Sequence, residues 1–496
     1  MKTFTRYVFP MLLVFSMLLT ACGGGAATQP PATEAPAATQ PPEATQPPEG
    51  TQPPEATSAS GEVVNLTFVG WGGPEEQDVF QKLVDTFNKN NPDIVIKYTP
   101  MPDDYVTKLK TMIAGGTPPD IAYVPDGDFS AFAPKGTLVS IQKFVDASTV
   151  IDPDNIWPSA LNRYRYDPAT KSIGTGDLYA LPKDIGPTAI YINKDLFNEA
   201  GVPLPDPQTP LTWDQVIDIG TKITRDANGK HPGDAGFDPN SVEVWGVGDI
   251  WFENAVYGNG GQIVSDDSHT FVADSPETIA AVQFLADLTH KYQIHPTSQQ
   301  TASQDIGQMF ESGKLAMTTN GRWATTGYRN TLTFDWDVIP NIVGPSGKVY
   351  AAESDCKFGG WSGSVGVAII SGSNGEKYPE QAYRFIEFIA GPEGQTEQAA
   401  LGFQIPNQRD LANSETFLQS DQKPENAEVL LDAARCEFPG PWTKTPLYGQ
   451  WFDDNWWNGV WPEVVVDGTK TAEEAIKERK DAFQSGLDEA WASLNE

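Results

Sequence analysis

The chain has 496 residues with 66 acidic against 33 basic side chains, a formal net charge of -33. Such a balance gives a well-hydrated surface and argues against nucleic acid or an anionic lipid face as partner. Residues 62–496 exceed what one hydrophobic core holds, so two domains are expected there.

Lys2 and Arg6, the apolar run Tyr7 to Leu19, and then Leu19-Thr20-Ala21-Cys22 have the layout of a secretory signal, residues 1–21, ending in small side chains. Thirteen apolar residues cover ~20 Å, short of the ~30 Å hydrocarbon core, so a membrane span is not expected here. The tetrad resembles the lipobox of bacterial lipoproteins, which implies that Cys22 becomes the acylated first residue. Two or more acyl chains, at ~0.8 kcal/mol per buried CH₂, would hold the protein stably on a membrane. Residues 22–61 are Pro, Thr, Gln, Ala and Glu, with three copies of Thr-Gln-Pro-Pro-Glu-Ala/Gly over Thr39–Ala56. That composition has nothing to bury and reads as an extended tether reaching on the order of 100 Å.

The globular part opens with Val64, Leu66 and Phe68 alternating with Asn65 and Thr67, a strand pattern. After Gly70-Trp71-Gly72-Gly73, Pro74 is placed to open a helix along which Val79, Phe80, Leu83, Val84 and Phe87 recur. Ile94–Tyr98 is the next strand. Ile121–Val124 and Ala189–Ile192 read as short buried strands, and Thr212 to Gln215 as a capping box. A helix follows Ser275-Pro276, Val365–Ile370 is a strand, and a helix from Pro379 stops at Gly391-Pro392. The reading is mixed α/β with mostly parallel pairing. In open α/β sheets ligands sit beyond the carboxyl ends of strands, which directs attention to the loops Gly70–Glu76, Pro125–Phe129 and Leu181–Gly186. With Cys22 acylated, Cys356 and Cys436 remain as an even pair, either bonded or two free thiols.

Several segments, in this order, resemble the extracytoplasmic solute-binding proteins of ABC importers, in the large family that takes maltose, trehalose and other oligosaccharides. They are Phe80 to Phe87 with Asn91-Pro92, Gly115 to Ile121, Tyr179 to Asp184, Tyr191 to Phe197 with Ala200-Gly201, Gly313 to Met317 with Gly321-Arg322-Trp323, Phe385–Phe388 with Pro392 to Gln395, and Ile405-Pro406. The likeness fades after residue 410, where Trp442–Trp461 carries five Trp. It implies a type II periplasmic-binding-protein-like fold with two lobes, 62–182 plus 360–410 and 183–359 plus 411–496. Crossings near Leu181–Ile190 and Phe358–Gly363 would flank a cleft that closes on its ligand. It further implies a monomer that hands its ligand to membrane permease subunits from outside the cell.

Residue by residue, the likeness assigns Glu76, Asp126 and Asp184 to acidic positions, where each carboxylate can accept two sugar hydroxyls. Trp323 and Trp361 fall where an aromatic lies against a sugar ring, whose CH face is apolar while its rim is polar. Trp71 in the Gly-rich turn, Trp251, Trp442 and Arg409 complete the candidates. Cations at matched positions are few, Lys183 and Arg322. The ligand expected is therefore a neutral mono- or oligosaccharide, with a polyol or phosphorylated polyol as the alternative those two cations would serve.

Enzyme motifs are missing. Gly360-Trp361-Ser362-Gly363-Ser364 is the nearest approach to a nucleophile elbow, and there is no P-loop. The four His show no metal-ligand spacing, and Asp226 to Gly229 lacks the Gly and Glu of a calcium loop, so neither metal nor cofactor is expected. A glycoside hydrolase, which needs only two carboxylates in a cleft, remains the enzymatic alternative. A ligand-free adhesion or scaffolding lipoprotein would account for the tether but not for the ordered segments.

Overall fold

The computed structural model describes residues 63–351, 354–438 and 440–495. The signal segment, Cys22 and the tether lie outside the described residues. Strands that position the site are β1 (Val64–Gly70), β2 (Ile94–Pro100), β3 (Ile121–Pro125), β4 (Ala180–Pro182), β5 (Gly186–Asn193), β6 (Met317–Gly321), β7 (Trp336–Ile339), β8 (Ser362–Gly363) and β9 (Val365–Ile369).

The alternation read in β1 is real: Leu66 and Phe68 are buried while Asn65 and Thr67 face out. Pro74 sits in the first turn of helix Pro74–Asn90, where its missing N–H costs nothing. That helix returns the chain to β2, which lies parallel to β1 with Val64 opposite Ile94. The first sheet has the order β2-β1-β3-β9-β4. Its core gathers Leu66, Phe68, Phe80, Tyr123, Ile369 and Phe385.

The second sheet has β5 at its centre, flanked by β6 and β7, with β8 pairing the start of β5. Helix Trp213–Ile223 packs on it and begins with the expected capping box: Thr212 accepts from the Gln215 peptide while the Gln215 side chain accepts in return. Ile190, Val216, Tyr257 and Leu285 build this core. Pairing departs from the mostly parallel expectation. Only β1–β2 and β1–β3 among these strands are parallel, and β9 meets both β3 and β4 antiparallel, as do all partners of β5. The reason is that β9 enters its sheet from the other sheet rather than through a crossover helix, and so arrives in the reverse direction.

The chain passes between the sheets twice. Lys183-Asp184-Ile185 joins β4 to β5, and Ser364 joins β8 to β9. A third cluster packs around these crossings, with Trp157, Ile185, Tyr191, Trp336, Phe417 and Leu430 as members. Ile185 also exchanges a bridge with Ile405. The Trp-rich segment that sequence could not place joins the second core: Trp451 and Trp456 are buried with Phe452 against Phe483 of helix Ala472–Ala492, while Trp457 stands out. Two π-helical turns, Trp456–Val460 and Pro462–Val466, carry it. Cys356 and Cys436 are joined in a disulfide with Cα atoms 5.8 Å apart. No described helix is long and apolar enough to cross a membrane.

Candidate ligand-binding cleft

A cavity of about 870 Å³ opens at the crossings and is lined from both sheets. The first sheet contributes the loops at the carboxyl ends of β1 and β3, bringing Trp71, Glu76 and Asp126. The second contributes Asn320, Trp323 and Tyr328, and the crossings supply Asp184 and Trp361. This size matches ordinary small-ligand sites, roughly 300–1,000 Å³. A smaller cavity of about 450 Å³ beside Asp249 and His295 is lined by the second lobe alone.

The aromatic wall is built on glycines. A Cβ at Gly321 would stand 2.0 Å from the Trp323 ring, and one at Gly363 would stand 2.5 Å from the Trp361 ring, so each indole lies flat on bare backbone. Trp323 and Trp361 are half-buried and perpendicular, with centroids 6.3 Å apart. Trp251 backs both, at 6.2 Å and 5.1 Å. The Trp361 peptide N–H donates to Asn254 Oδ1 at 2.7 Å, and its carbonyl accepts from the Thr188 N–H at 2.9 Å, which fixes the backbone carrying the ring. Across the cavity, Trp71 meets Tyr105 and Tyr123 edge to face at 4.9 Å and 5.2 Å.

Each carboxylate has a buried cation behind it. Lys183 is fully buried, its Nζ 2.6 Å from Asp184 Oδ2 and 3.3 Å from Glu76 Oε1, and it also donates to Gln404. The Tyr123 and Phe80 rings stand 5.3 Å and 5.4 Å from that ammonium. Burial alone would drive Lys183 down, yet Asp184 and Glu76 more than offset this and hold it above the usual lysine value. Burial raises Glu76 above the ordinary carboxylate range against the pull of Lys183. Asp126 Oδ2 accepts from Arg163 at 3.0 Å and its Oδ1 from the Gly127 N–H at 2.8 Å; burial raises it too, against Arg163. The other arm of Arg163 reaches Glu437 at 2.7 Å, adjacent in sequence to the disulfide.

Asp184 is less free than the sequence implied. Oδ2 accepts from the Lys183 ammonium at 2.6 Å, Oδ1 accepts from the Val365 N–H at 3.1 Å, and its carbonyl accepts from Ser364 Oγ at 2.9 Å. It fastens one crossing to the other, and each oxygen retains at most one acceptor site for a ligand.

Of the residues singled out by sequence, the cavity brings together Trp71, Glu76, Asp126, Asp184, Arg322, Trp323 and Trp361. Four are corrected. Lys183 lies behind the carboxylates, Trp251 behind the two indoles, and Trp442 is buried against Trp361 at 6.0 Å. Arg409 opens the short helix Arg409–Ala412 and donates to the Asp154 carbonyl at the surface. Sequence reasoning missed Asn320, Tyr328, Phe403 and Gln404 in the lining, and Arg163 and Glu437 behind it. No local signal marks them, because their roles follow from long-range pairing.

Two sheets joined by crossing strands, with a ligand-sized cleft between, define a two-lobed solute-binding protein. The chain belongs to the bacterial extracellular solute-binding protein family, whose model matches residues 73–396. It is 23 % identical over 445 residues to an arabinooligosaccharide-binding protein of Halalkalibacterium halodurans, covering 86 % of this chain and 89 % of that one. Against a maltotriose-binding protein of Pyrococcus abyssi it is 26 % identical over 326 residues, 64 % of this chain and 61 % of the relative. The chain spans about half the length, 53 %, of curated binding proteins of Brucella abortus that it matches at 23 % identity. An ABC substrate-binding protein of Listeria monocytogenes, solved with cycloalternan, superposes with a TM-score of 0.70 at 22 % identity, over 86 % of this chain and all of that one.

Proposed function

We propose that the protein captures a neutral mono- or oligosaccharide in this cleft outside the cell and delivers it to the permease of an ABC importer, with no chemistry on the ligand. The observation that carries the reading is the pairing of half-buried indoles, Trp323 and Trp361 with Trp71 opposite, with the acceptors Glu76, Asp126 and Asp184 around one cavity. Aromatic plates suit the CH faces of a sugar and carboxylates its hydroxyls, an arrangement with little to offer a peptide or a hydrophobic ligand. The named ligands of the relatives, maltotriose and arabinooligosaccharide, support the same class. Lining from both lobes favours binding by closure about the two crossings. Acylation at Cys22 and the Pro-rich segment would tether the binder to the outer face of the membrane.

A thermal-shift panel of neutral sugars, from glucose to maltotriose and arabinotriose, tests the proposal. A sugar at 100 times its dissociation constant adds ~2.7 kcal/mol of stability. Scattering with that sugar should show contraction, and the sugar should be recovered intact after long incubation. Stabilisation by amino acids or peptides alone, or cleaved product, would overturn the reading.

A further inference from the structure

Arg322 follows β6 in the 3₁₀ turn Arg322–Ala324 and lines the cleft beside Trp323. Its side chain is fully buried. Yet none of Nε, Nη1 or Nη2 has a hydrogen-bond acceptor among the described residues. One face of the guanidinium lies over the Phe417 ring, 4.6 Å from its centroid. Burial lowers its pKa to about 10, still far above neutrality, so the group is a cation at working pH.

Its neighbours do not neutralise it. Arg329 adds a second positive charge, with an Nη2 that is also unpartnered, its other nitrogens being given to the Lys423 carbonyl and Gln419. Glu311 lines the same cleft but gives no acceptor to Arg322. Tyr191 spends its hydroxyl on the Gly321 carbonyl and Thr325. The contrast with the rest of the site is the argument. Lys183 and Arg163, equally buried, each sit between two carboxylates. A planar fork with five donors, packed on an aromatic plate and left without acceptors just beneath a residue position that lines the cleft, has the donors to receive two oxygens of one planar or tetrahedral anion once the cleft admits it.

We infer that Arg322 forms an oxyanion subsite at the Trp323 end of the cleft, taking a carboxylate, sulfate or phosphate group. That group comes either from a free inorganic anion or from an acidic substituent on the sugar itself; only the second source rests on the carbohydrate reading. The subsite is distinct from the acidic, hydroxyl-accepting end formed by Glu76 and Asp184.

The full chain is titrated in chloride buffer by calorimetry and thermal shift with sodium sulfate and potassium phosphate, each against sodium chloride of equal ionic strength. Parallel titrations use the matched pairs glucose and glucuronate, galactose and galacturonate, and galactobiose and digalacturonate. Wild type, Arg322→Gln and Arg322→Lys are compared, the lysine variant keeping the charge if the glutamine one folds poorly. Saturable stabilisation by at least one oxyanion is expected, weakened tenfold or more in Arg322→Gln and less in Arg322→Lys. Acidic sugars binding tenfold tighter than their neutral partners, in competition with sulfate, would identify the sugar as the source; sulfate or phosphate binding without that preference would identify the free anion. Oxyanions that do no more than chloride, or whose effect survives Arg322→Gln unchanged, overturn the inference. Neutral sugars binding with no oxyanion effect would leave the carbohydrate reading standing and remove this one; oxyanions binding with every sugar silent would do the reverse.

Discussion

Replacing Lys183 by Met removes a buried cation from between two buried carboxylates. Its side chain is 0 % exposed, and those of Glu76 and Asp184 are 8 % and 5 % exposed. At separations of 3.3 Å and 2.6 Å, the gross attractions are ~5 and ~6 kcal/mol for an effective dielectric constant of about 20. Much of that repays desolvation, and removing one partner of a buried pair costs about 3–5 kcal/mol. The loss depends on pH in a direction fixed by Glu76. Its folded-state pKa is already raised by burial, and Lys183 is the largest influence holding it down. In Lys183→Met the raised value moves further up, so the folded variant binds a proton that the unfolded chain has released. Stability relative to wild type then falls as pH rises from the unfolded value near 4.5 through the folded value. Urea unfolding of wild type, Lys183→Met and Lys183→Met/Glu76→Gln at pH 5 and pH 8 measures this. The expected deficit is larger at pH 8, and the double variant loses most of its pH dependence. A deficit under about 1 kcal/mol, where the loss of one partner from a buried ion pair should cost several, or an equal deficit at both pH values, would refute the reasoning.

Trp361→Ala should weaken sugar binding while costing less stability than Trp456→Ala, because Trp361 is half-buried at the cleft and Trp456 is 0 % exposed in the second core. The core substitution should cost ~3–5 kcal/mol, and calorimetry beside melting curves separates the two. Asp184→Asn should lower both affinity and melting temperature, by about 1–3 kcal/mol in stability, since it disturbs a crossing whose donors are Lys183 and the Val365 N–H; affinity falling with an unmoved melting temperature would mean the carboxylate serves the ligand alone. Replacing both Cys356 and Cys436 by Ser opens a loop closed over 80 residues, worth about 4.5 kcal/mol in the chain-entropy account, and urea unfolding should register a loss of that order.

The elements that sequence made legible are those whose reasons are local. Pro74 opening a helix, Thr212 and Gln215 capping another, and Leu66 and Phe68 alternating in β1 depend on neighbours within a few residues, and each stands as read. The loops after β1 and β3 and the first crossing were also legible, since strand ends in α/β proteins carry the ligand-facing groups. Trp71, Glu76, Asp126 and Asp184 lie in them and reach the cavity.

What only tertiary structure decided is how each charge and each indole is spent. Sequence gives no means of telling that Lys183 faces inward to hold two carboxylates while Arg322, equally buried, is left beside the cleft without an acceptor. The difference is made by Glu76, more than a hundred residues from Lys183, and by Phe417, nearly a hundred from Arg322. Likewise Trp323 and Trp361 become cleft walls because Gly321 and Gly363 let them lie on bare backbone, whereas Trp442 and Trp456 are buried by packing against elements that the chain reaches only after folding. Side-chain type and spacing set which groups are available. Burial and pairing, which are sums over contacts distant in sequence, set which of them remain for a ligand.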